Sequence, residues 1–113
     1  MASAASSKLF LVDVVQVGEQ DTDAYLRALE EDGIPVMAAA GATFESCRAT
    51  PAGMGTDVDI EVVWCFGDFA HWNLVRRNLV LDPRWYVWAQ RARELRRGGT
   101  RRIMADTGLR GRR

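Results

Sequence analysis

Residues 58–66 (VDIEVVWCF) alternate between an apolar and a mixed set of side chains. Successive side chains of a β-strand point to opposite sides, so this alternation predicts a strand with two unlike faces. One face is wholly apolar and consists of Val58, Ile60, Val62, Trp64 and Phe66. The opposite face combines acidic groups with Val63 and Cys65. The chain therefore has to build a sheet whose apolar face is covered by another layer.

Three other segments have the composition of strands. They are residues 8–17 (KLFLVDVVQV), 43–50 (TFESCRAT) and 101–105 (RRIMA). Because glycine is a frequent helix terminator, the Gly98–Gly99 pair is expected to end a helix just before the last of these strands.

Apolar residues at helical spacing fill the stretches between the strands. Asp21 or Thr22 can cap a first helix that ends at Gly33, and Pro35 is expected to open a short second turn. Asp68 can cap another helix, and Pro83 breaks that helix and starts the next. The order strand, helix, strand, strand, helix, strand predicts an α+β, ferredoxin-like subunit with its helices on one face of an antiparallel sheet.

A chain of 113 residues has room for one domain, which we place at residues 8–106. Residues 1–7 are small and polar and are predicted to be a disordered lead, and residues 107–113 a flexible basic tail. No apolar run reaches the ~18 residues of a membrane span, and the first residues do not resemble a signal peptide. These features predict a cytoplasmic protein with no membrane partner.

The net charge of zero hides a strong asymmetry along the chain. Residues 1–83 carry 13 acidic and 5 basic groups, whereas residues 84–113 carry 10 arginines and 2 acidic groups. Such a split is typical of a tail that binds nucleic acid or anions, or of two halves that neutralise each other within one chain or across a dimer. The arginines are scattered around the last helix rather than aligned, which favours neutralisation. No nucleic-acid partner is predicted.

Metal and nucleotide chemistry lack support in the sequence. One histidine, two cysteines and no Cys-x-x-Cys spacing argue against a structural zinc site, and no metal is predicted. Neither a phosphate-binding loop, a dinucleotide fingerprint, a serine-hydrolase elbow nor a zinc-peptidase motif occurs.

The sequence resembles the NIPSNAP family. The resemblance is carried by residues 64–70 (WCFGDFA), by residues 79–85 (LVLDPRW) and by the turn at residues 33–35 (GIP) with Gly41 after it. It implies a dimeric α+β barrel, in which two ferredoxin-like sheets pack face to face and each subunit holds a ligand cavity between sheet and helices. The partners it implies are a second copy of the chain and a small hydrophobic or aromatic ligand.

Function varies widely within that superfamily, which includes cofactor-free monooxygenases, polyketide cyclases, lactone isomerases, haem degraders and proteins without known chemistry. Trp64 and His71 loosely match two residues of the haem degraders. Their first-strand asparagine has no counterpart, because this strand offers only Asp13 and Gln16. No haem and no other cofactor is predicted.

Three titratable residues are candidates for catalysis. His71 is expected at the mouth of the cavity, where it would serve as a general base or would be an ordinary exposed helix residue. Asp13 and Glu61 interrupt apolar strands, and an unpaired buried carboxylate is costly. They would form either an acid/base pair or ion pairs with Arg48, Arg101 or Arg102.

Four tryptophans fall on inward-facing stripes, where they would fill the core or line the cavity. The predicted ligand contacts are Trp64, Trp72, Trp85, Trp88, Tyr25 and Arg48. The function predicted from these residues is that of a small cofactor-independent cyclase, isomerase or monooxygenase acting on an aromatic or polyketide-like molecule. The alternative is a non-catalytic dimeric module that binds a small ligand or another protein.

Overall fold

The computed structural model describes residues 7–111, which form one antiparallel sheet with helices packed on one of its faces. The strands are β1 (Leu9–Val17), β2 (Thr43–Ala49), β3 (Val58–Phe66) and β4 (Arg96–Ala105). The helices are α1 (Thr22–Ala28), α2 (Ile34–Ala40), α3 (Phe69–Val80) and α4 (Pro83–Leu95). The strand order across the sheet is β2-β3-β1-β4. This arrangement confirms the predicted α+β, ferredoxin-like fold.

The central strands β1 and β3 place one apolar face against the helices. Leu11 lies opposite Trp64 and Val15 opposite Ile60, and all four side chains are buried. Asp13 lies on this same face, opposite Val62 in β3 and Arg101 in β4. The only acidic residue of β1 therefore faces the helices rather than the other side of the sheet.

Helical backbone continues through Gly33, so the predicted helix end at this glycine is wrong. α1 passes into a π-helical turn at Leu29–Gly33 and directly into α2. Gly33 has helical angles, φ −68° and ψ −52°, and a Cβ there would lie 3.0 Å from the ring of Trp88. Glycine at this position thus leaves room for the close packing of α4. Gly41, at φ 110°, is the residue that ends the helical run.

Strand β4 begins at Arg96, directly after α4, rather than at Arg101 as expected. Gly98 and Gly99 lie inside the strand and pair with β1. A Cβ at Gly99 would lie 2.9 Å from the carbonyl oxygen of Val14. The glycine pair therefore permits close approach of the two strands and does not terminate the helix.

The face of the sheet away from the helices has an apolar centre. By the strand register it is formed by Phe10, Val12, Val14, Val63, Cys65 and Met104. No helix covers this helix-free face within residues 7–111. The predicted sheet-to-sheet dimer would bury these residues.

The ends of the chain are described in part. The predicted disordered lead lies outside the described residues except for Ser7, whose hydroxyl donates to the Gly67 carbonyl at 2.8 Å. Residues 107–111 of the predicted tail have no regular secondary structure. Within the described range, the helices are too short or too polar to cross a membrane. The cytoplasmic location stays a prediction.

Candidate functional site

A cavity of about 360 Å³ lies between the sheet and the helices. Its floor includes Asp13 of β1 and the paired β3 residues Val62 and Trp64. Tyr25 of α1, Leu29 and Met37 also line the cavity, together with residues of α4. This volume is just above the lower limit for small-molecule sites, which is roughly 300 Å³.

Helix α4 presents its indoles to the cavity because of how it starts. The Asp82 carboxylate accepts a hydrogen bond from the Arg84 N–H at 2.9 Å, and Pro83 occupies the first helical position. The Arg84 guanidinium also donates to this carboxylate, and these bonds hold the pKa of Asp82 below its ordinary value. With the start fixed, Trp85 and Trp88 fall three residues apart on the helix face that lines the cavity.

Aromatic rings form the inner wall. The Tyr25 ring packs against the Trp88 ring, with centroids 5.9 Å apart and an interplanar angle of 59°. Trp88 and Tyr25 are both buried, whereas Trp85 is half-buried. Rings at this distance form a favourable tilted pair, and the remaining space offers flat apolar surfaces to a ligand.

A single carboxylate and its partner supply the polar floor. Asp13 accepts two hydrogen bonds from the Arg101 guanidinium, at 2.7 Å from Nε and 3.2 Å from Nη2. The side chain of Asp13 is only 19% exposed. The bidentate pair arises because Asp13 and Arg101 lie directly opposite each other on β1 and β4. One of the ion-pair partners considered from the sequence, Arg101, is therefore the observed one.

The environment of Tyr25 makes its hydroxyl a weak acid. Burial raises the pKa of Tyr25 to about 12, and the nearby Asp13 carboxylate adds to the rise. The positive charges of Arg96 and Arg101 act in the opposite direction. At neutral pH the phenol therefore stays protonated and is able to donate a hydrogen bond within the cavity.

Exposed arginines line the cavity. Arg93, Arg96 and Arg101 all line it and are all exposed. Arg93 and Arg96 were not among the predicted site residues, because their spacing on the last helix gave no stripe. Their proximity to the cavity follows from the direct passage of α4 into β4 at Arg96.

His71 does not lie at the cavity mouth, which corrects the expected position. Its Nδ1 accepts a hydrogen bond from the Gly67 N–H at 2.9 Å. Nε2 then carries the proton and donates to the Gly41 carbonyl at 2.8 Å. The ring also packs edge-to-face on Phe66, at 5.7 Å. Both nitrogens are engaged with backbone, so His71 joins the start of α3 to the end of α2.

Glu61 and Arg48 lie on the face of the sheet away from the cavity. They are opposite each other on β3 and β2, and Arg48 Nη2 is 3.2 Å from Glu61 Oε1. Both side chains are exposed. Of the two alternatives considered from the sequence, the ion pair of Glu61 with Arg48 is the observed one, and the acid/base pair with Asp13 is not formed, since the sheet separates the two carboxylates.

Trp72 also lies outside the cavity. Its ring packs edge-to-face on Phe66, with centroids 4.9 Å apart, and the Arg76 guanidinium lies 5.6 Å above it. Five of the nine predicted site residues line the cavity, namely Asp13, Tyr25, Trp64, Trp85 and Trp88. The other four, His71, Glu61, Arg48 and Trp72, do not.

Cys47 and Cys65 are free, and Cys47 pairs with Val62 in the neighbouring strand. Burial, with a smaller contribution from Glu61, raises the pKa of the Cys47 thiol. Among residues 7–111 there is no group of three side chains that could ligate a metal ion.

The cavity and sheet define a class, that of ferredoxin-like α+β domains with a ligand-sized space beneath the helices. No protein-family model matches the sequence, and neither does any curated protein. Solved structures do match. A NIPSNAP family protein of unknown function from Agrobacterium tumefaciens superposes with a TM-score of 0.77 over 95% of both chains, at 19% identity.

Two further structures extend this comparison. A second NIPSNAP family protein from A. tumefaciens gives a TM-score of 0.74 over 95% of this chain and 92% of that chain, at 19% identity. SnoaB, a cofactor-independent oxygenase from Streptomyces nogalater, gives 0.53 over 88% of this chain and 92% of its own, at 14% identity. The predicted resemblance to NIPSNAP proteins is confirmed, and at these identities it is a likeness of fold.

Proposed function

We propose that this chain is a small cofactor-independent enzyme of the cyclase, isomerase or monooxygenase type, and that it acts on an aromatic or polyketide-like molecule held in the cavity. The observation that carries the proposal is the position of Asp13, a carboxylate on the floor of a space walled by Tyr25, Trp85 and Trp88. The fold likeness to a cofactor-independent oxygenase supports it.

Binding would use the indole walls and the polar floor together. Flat rings stack on Trp85 and Trp88, and burial of their apolar surface supplies most of the affinity. A hydroxyl or carbonyl oxygen of the ligand would receive a hydrogen bond from Tyr25 or Arg101. The few polar groups would then fix the orientation of an otherwise apolar ligand.

The proposed chemical step is one that the three reaction types share. Asp13 accepts a proton from an acidic C–H or O–H group of the substrate, and the electron pair of the broken bond stays on the substrate as an enolate. Arg101, bonded to Asp13, and the Tyr25 hydroxyl stabilise the negative charge on the enolate oxygen. Neither metal nor organic cofactor takes part in this proton transfer.

Deuterium exchange tests the step directly. Anthrone and 1,3-dihydroxynaphthalene each lose a carbon-bound proton through an enolate, and NMR under nitrogen in D2O follows its replacement. The wild-type chain should accelerate exchange over buffer, and Asp13→Asn should lower that rate about 100-fold. Glu61→Gln, a carboxylate removed from the opposite face, is the matched control and should keep the rate.

The second candidate function is a non-catalytic module that binds the same class of ligand. It is favoured by the two-point bond between Asp13 and Arg101, which gives the carboxylate a structural partner. If both probes bind, as measured by calorimetry, while wild type exchanges their protons no faster than buffer, the binding module replaces the enzyme.

A homodimer is part of either proposal. The helix-free face, with the half-buried Val12 and Val14 on the central strand β1, supports sheet-to-sheet packing of two copies, because an uncovered apolar patch favours association. Light scattering at micromolar concentration should report twice the 12.6 kDa of one chain. A mass of one chain would contradict the dimer.

A further inference from the structure

We propose that the molecule bound in the cavity is an aromatic hydroxy-acid, and that Arg93 and Arg96 bind its carboxylate at the cavity opening. This inference rests on the proposed function, because it assigns the chemical class of the same ligand. It adds an anionic group, and two residues that select for it, to the aromatic part held by the indoles.

The charges that line the cavity do not balance. Three guanidinium groups, those of Arg93, Arg96 and Arg101, face a single carboxylate, Asp13. That carboxylate is bonded at two points to Arg101. Arg93 and Arg96 form no ion pair within the part of the chain that the structure describes. Two positive charges at the opening are therefore left for a ligand.

Acidic groups on the neighbouring elements are engaged elsewhere. Asp32 and Glu31, from the π-helical turn, bind Arg91 at 2.8 and 3.1 Å. Glu94, next to Arg93 in sequence, accepts from Gln90 at 2.9 Å. Asp57 binds Arg97 at 2.8 Å rather than Arg96. Three of these four carboxylates thus neutralise arginines that do not line the cavity, and the fourth, Glu94, is bonded to the neutral amide of Gln90.

The positive charge of Arg96 reaches the interior of the cavity as well as its edge. This charge opposes the rise in the pKa of Tyr25, a residue that is only 3% exposed. The guanidinium is therefore within electrostatic reach of the buried phenol. Arg93 lies three residues earlier, in the last turn of α4, and lines the same opening.

A carboxylate suits this pair better than a hydroxyl does. Guanidinium groups bind carboxylate oxygens through charge-assisted hydrogen bonds with a planar, forked geometry. A ligand whose rings lie between Trp85 and Tyr25 would direct a ring substituent toward solvent at the opening, where Arg93 and Arg96 are. A neutral substituent would leave both charges with water alone.

Isothermal titration calorimetry with matched probes tests the inference. The neutral probe is 2-naphthol, and the anionic probes are the 3-, 5- and 6-hydroxy isomers of 2-naphthoate, which differ in where the carboxylate stands relative to the hydroxyl. At least one acid should bind wild type about tenfold or more tightly than 2-naphthol does. Raising the salt concentration to about 0.5 M should reduce this preference, since the arginines are exposed.

Variants test whether Arg93 and Arg96 cause the tighter binding of the acid. Arg93→Gln combined with Arg96→Gln should lower the affinity of the acid about tenfold while that of 2-naphthol stays within about twofold. Arg27→Gln removes the same charge from an exposed position on α1 that does not line the cavity, and should change neither affinity. Replacement of both residues by lysine keeps the charge and should retain part of the preference.

The outcomes separate the two proposals. If 2-naphthol binds and no acid binds more tightly, or if Arg27→Gln weakens acid binding as much as the double variant does, the hydroxy-acid inference is overturned and the cavity remains a ligand site. If neither 2-naphthol nor any acid binds, the proposed function fails and the inference fails with it.

Discussion

At one end of the space between sheet and helices, Phe66 packs edge-to-face against the rings of His71 and Trp72, with centroids 5.7 and 4.9 Å away. At the other end, Tyr25, Trp85 and Trp88 surround a cavity. We call these the filled end and the hollow end. Both are built from aromatic residues on β-strands and helices, yet one is packed with side chains and the other has room for a ligand.

The difference comes from polar groups rather than from the number of rings. At the filled end, hydrogen bonds from His71 and from Asn78, which donates to the Ala40 carbonyl at 3.0 Å, draw α3 onto the end of α2. At the hollow end, Asp13 and Arg101 occupy the floor, and an ion pair is stable beside water or a polar ligand but costly beneath packed apolar groups. A charged floor therefore favours an open site.

The largest expected effect is at the filled end. Phe66 is 1% exposed, and Phe66→Ala should lower the free energy of unfolding by about 3–5 kcal/mol, because the lost contacts leave a cavity. Urea denaturation measures this. Affinity for 2-naphthol should stay within about twofold, since Phe66 does not line the ligand cavity.

Trp85→Ala is the matched change at the hollow end. Because Trp85 is half-buried beside existing space, its loss should cost less stability than that of Phe66 while weakening 2-naphthol binding. Equal losses of stability in the two variants, with equal effects on affinity, would remove the distinction between the ends.

The next prediction concerns the stability of the protein at alkaline pH, which depends on Tyr25 at the hollow end. The pKa of Tyr25 is about 12 in the folded protein and about 10 in the unfolded chain, so the unfolded state loses its proton first. The contribution of Tyr25 to stability is complete below pH 10 and is lost as the pH rises from about 10 to 12, by on the order of 2 kcal/mol.

Urea denaturation at increasing pH measures this contribution. Tyr25→Phe should show a smaller loss of stability over the same interval, because it has no phenol to ionise. An identical pH dependence in wild type and Tyr25→Phe would show that the hydroxyl at the hollow end is not shielded from water.

Secondary structure was predictable where one local signal decides it. The alternation over residues 58–66 gave β3 with its observed bounds, the capping residue Asp68 marked the start of α3, and Pro83 marked the start of α4. Gly33 and Gly99 were misread as terminators. Each lies against a close neighbour that is distant in sequence, the Trp88 ring for Gly33 and the β1 backbone for Gly99, and no local pattern shows such a neighbour.

The candidate site was predictable in part, where strand parity or helical spacing decides which way a side chain faces. Inward stripes placed Trp64, Trp85 and Trp88 between the layers, and the interruption of β1 drew attention to Asp13. Strand parity was sufficient to assign Glu61 to the other face, but not to show that His71 would bond two backbone groups from different elements. Hydrogen bonds of that kind depend on the packing of α2 against α3, which the sequence does not state.

The smallest effect is expected from His71→Ala, at the filled end. The change removes one hydrogen bond to the Gly67 N–H and one to the Gly41 carbonyl, and should lower the free energy of unfolding by about 1–2 kcal/mol. Deuterium exchange of the probes and 2-naphthol affinity should be unchanged, because the imidazole lies outside the cavity. Asn73→Ala, on the exposed side of the same helix, is the control and should change none of the three quantities, namely the free energy of unfolding, the exchange rate and the affinity.

A His71→Ala protein that keeps full stability but loses proton exchange would instead show that the imidazole takes the substrate proton. Since both of its nitrogens are bonded to backbone in the structure, that result would require α3 to separate from α2 on ligand binding, and the division into a filled and a hollow end would hold only for the free protein.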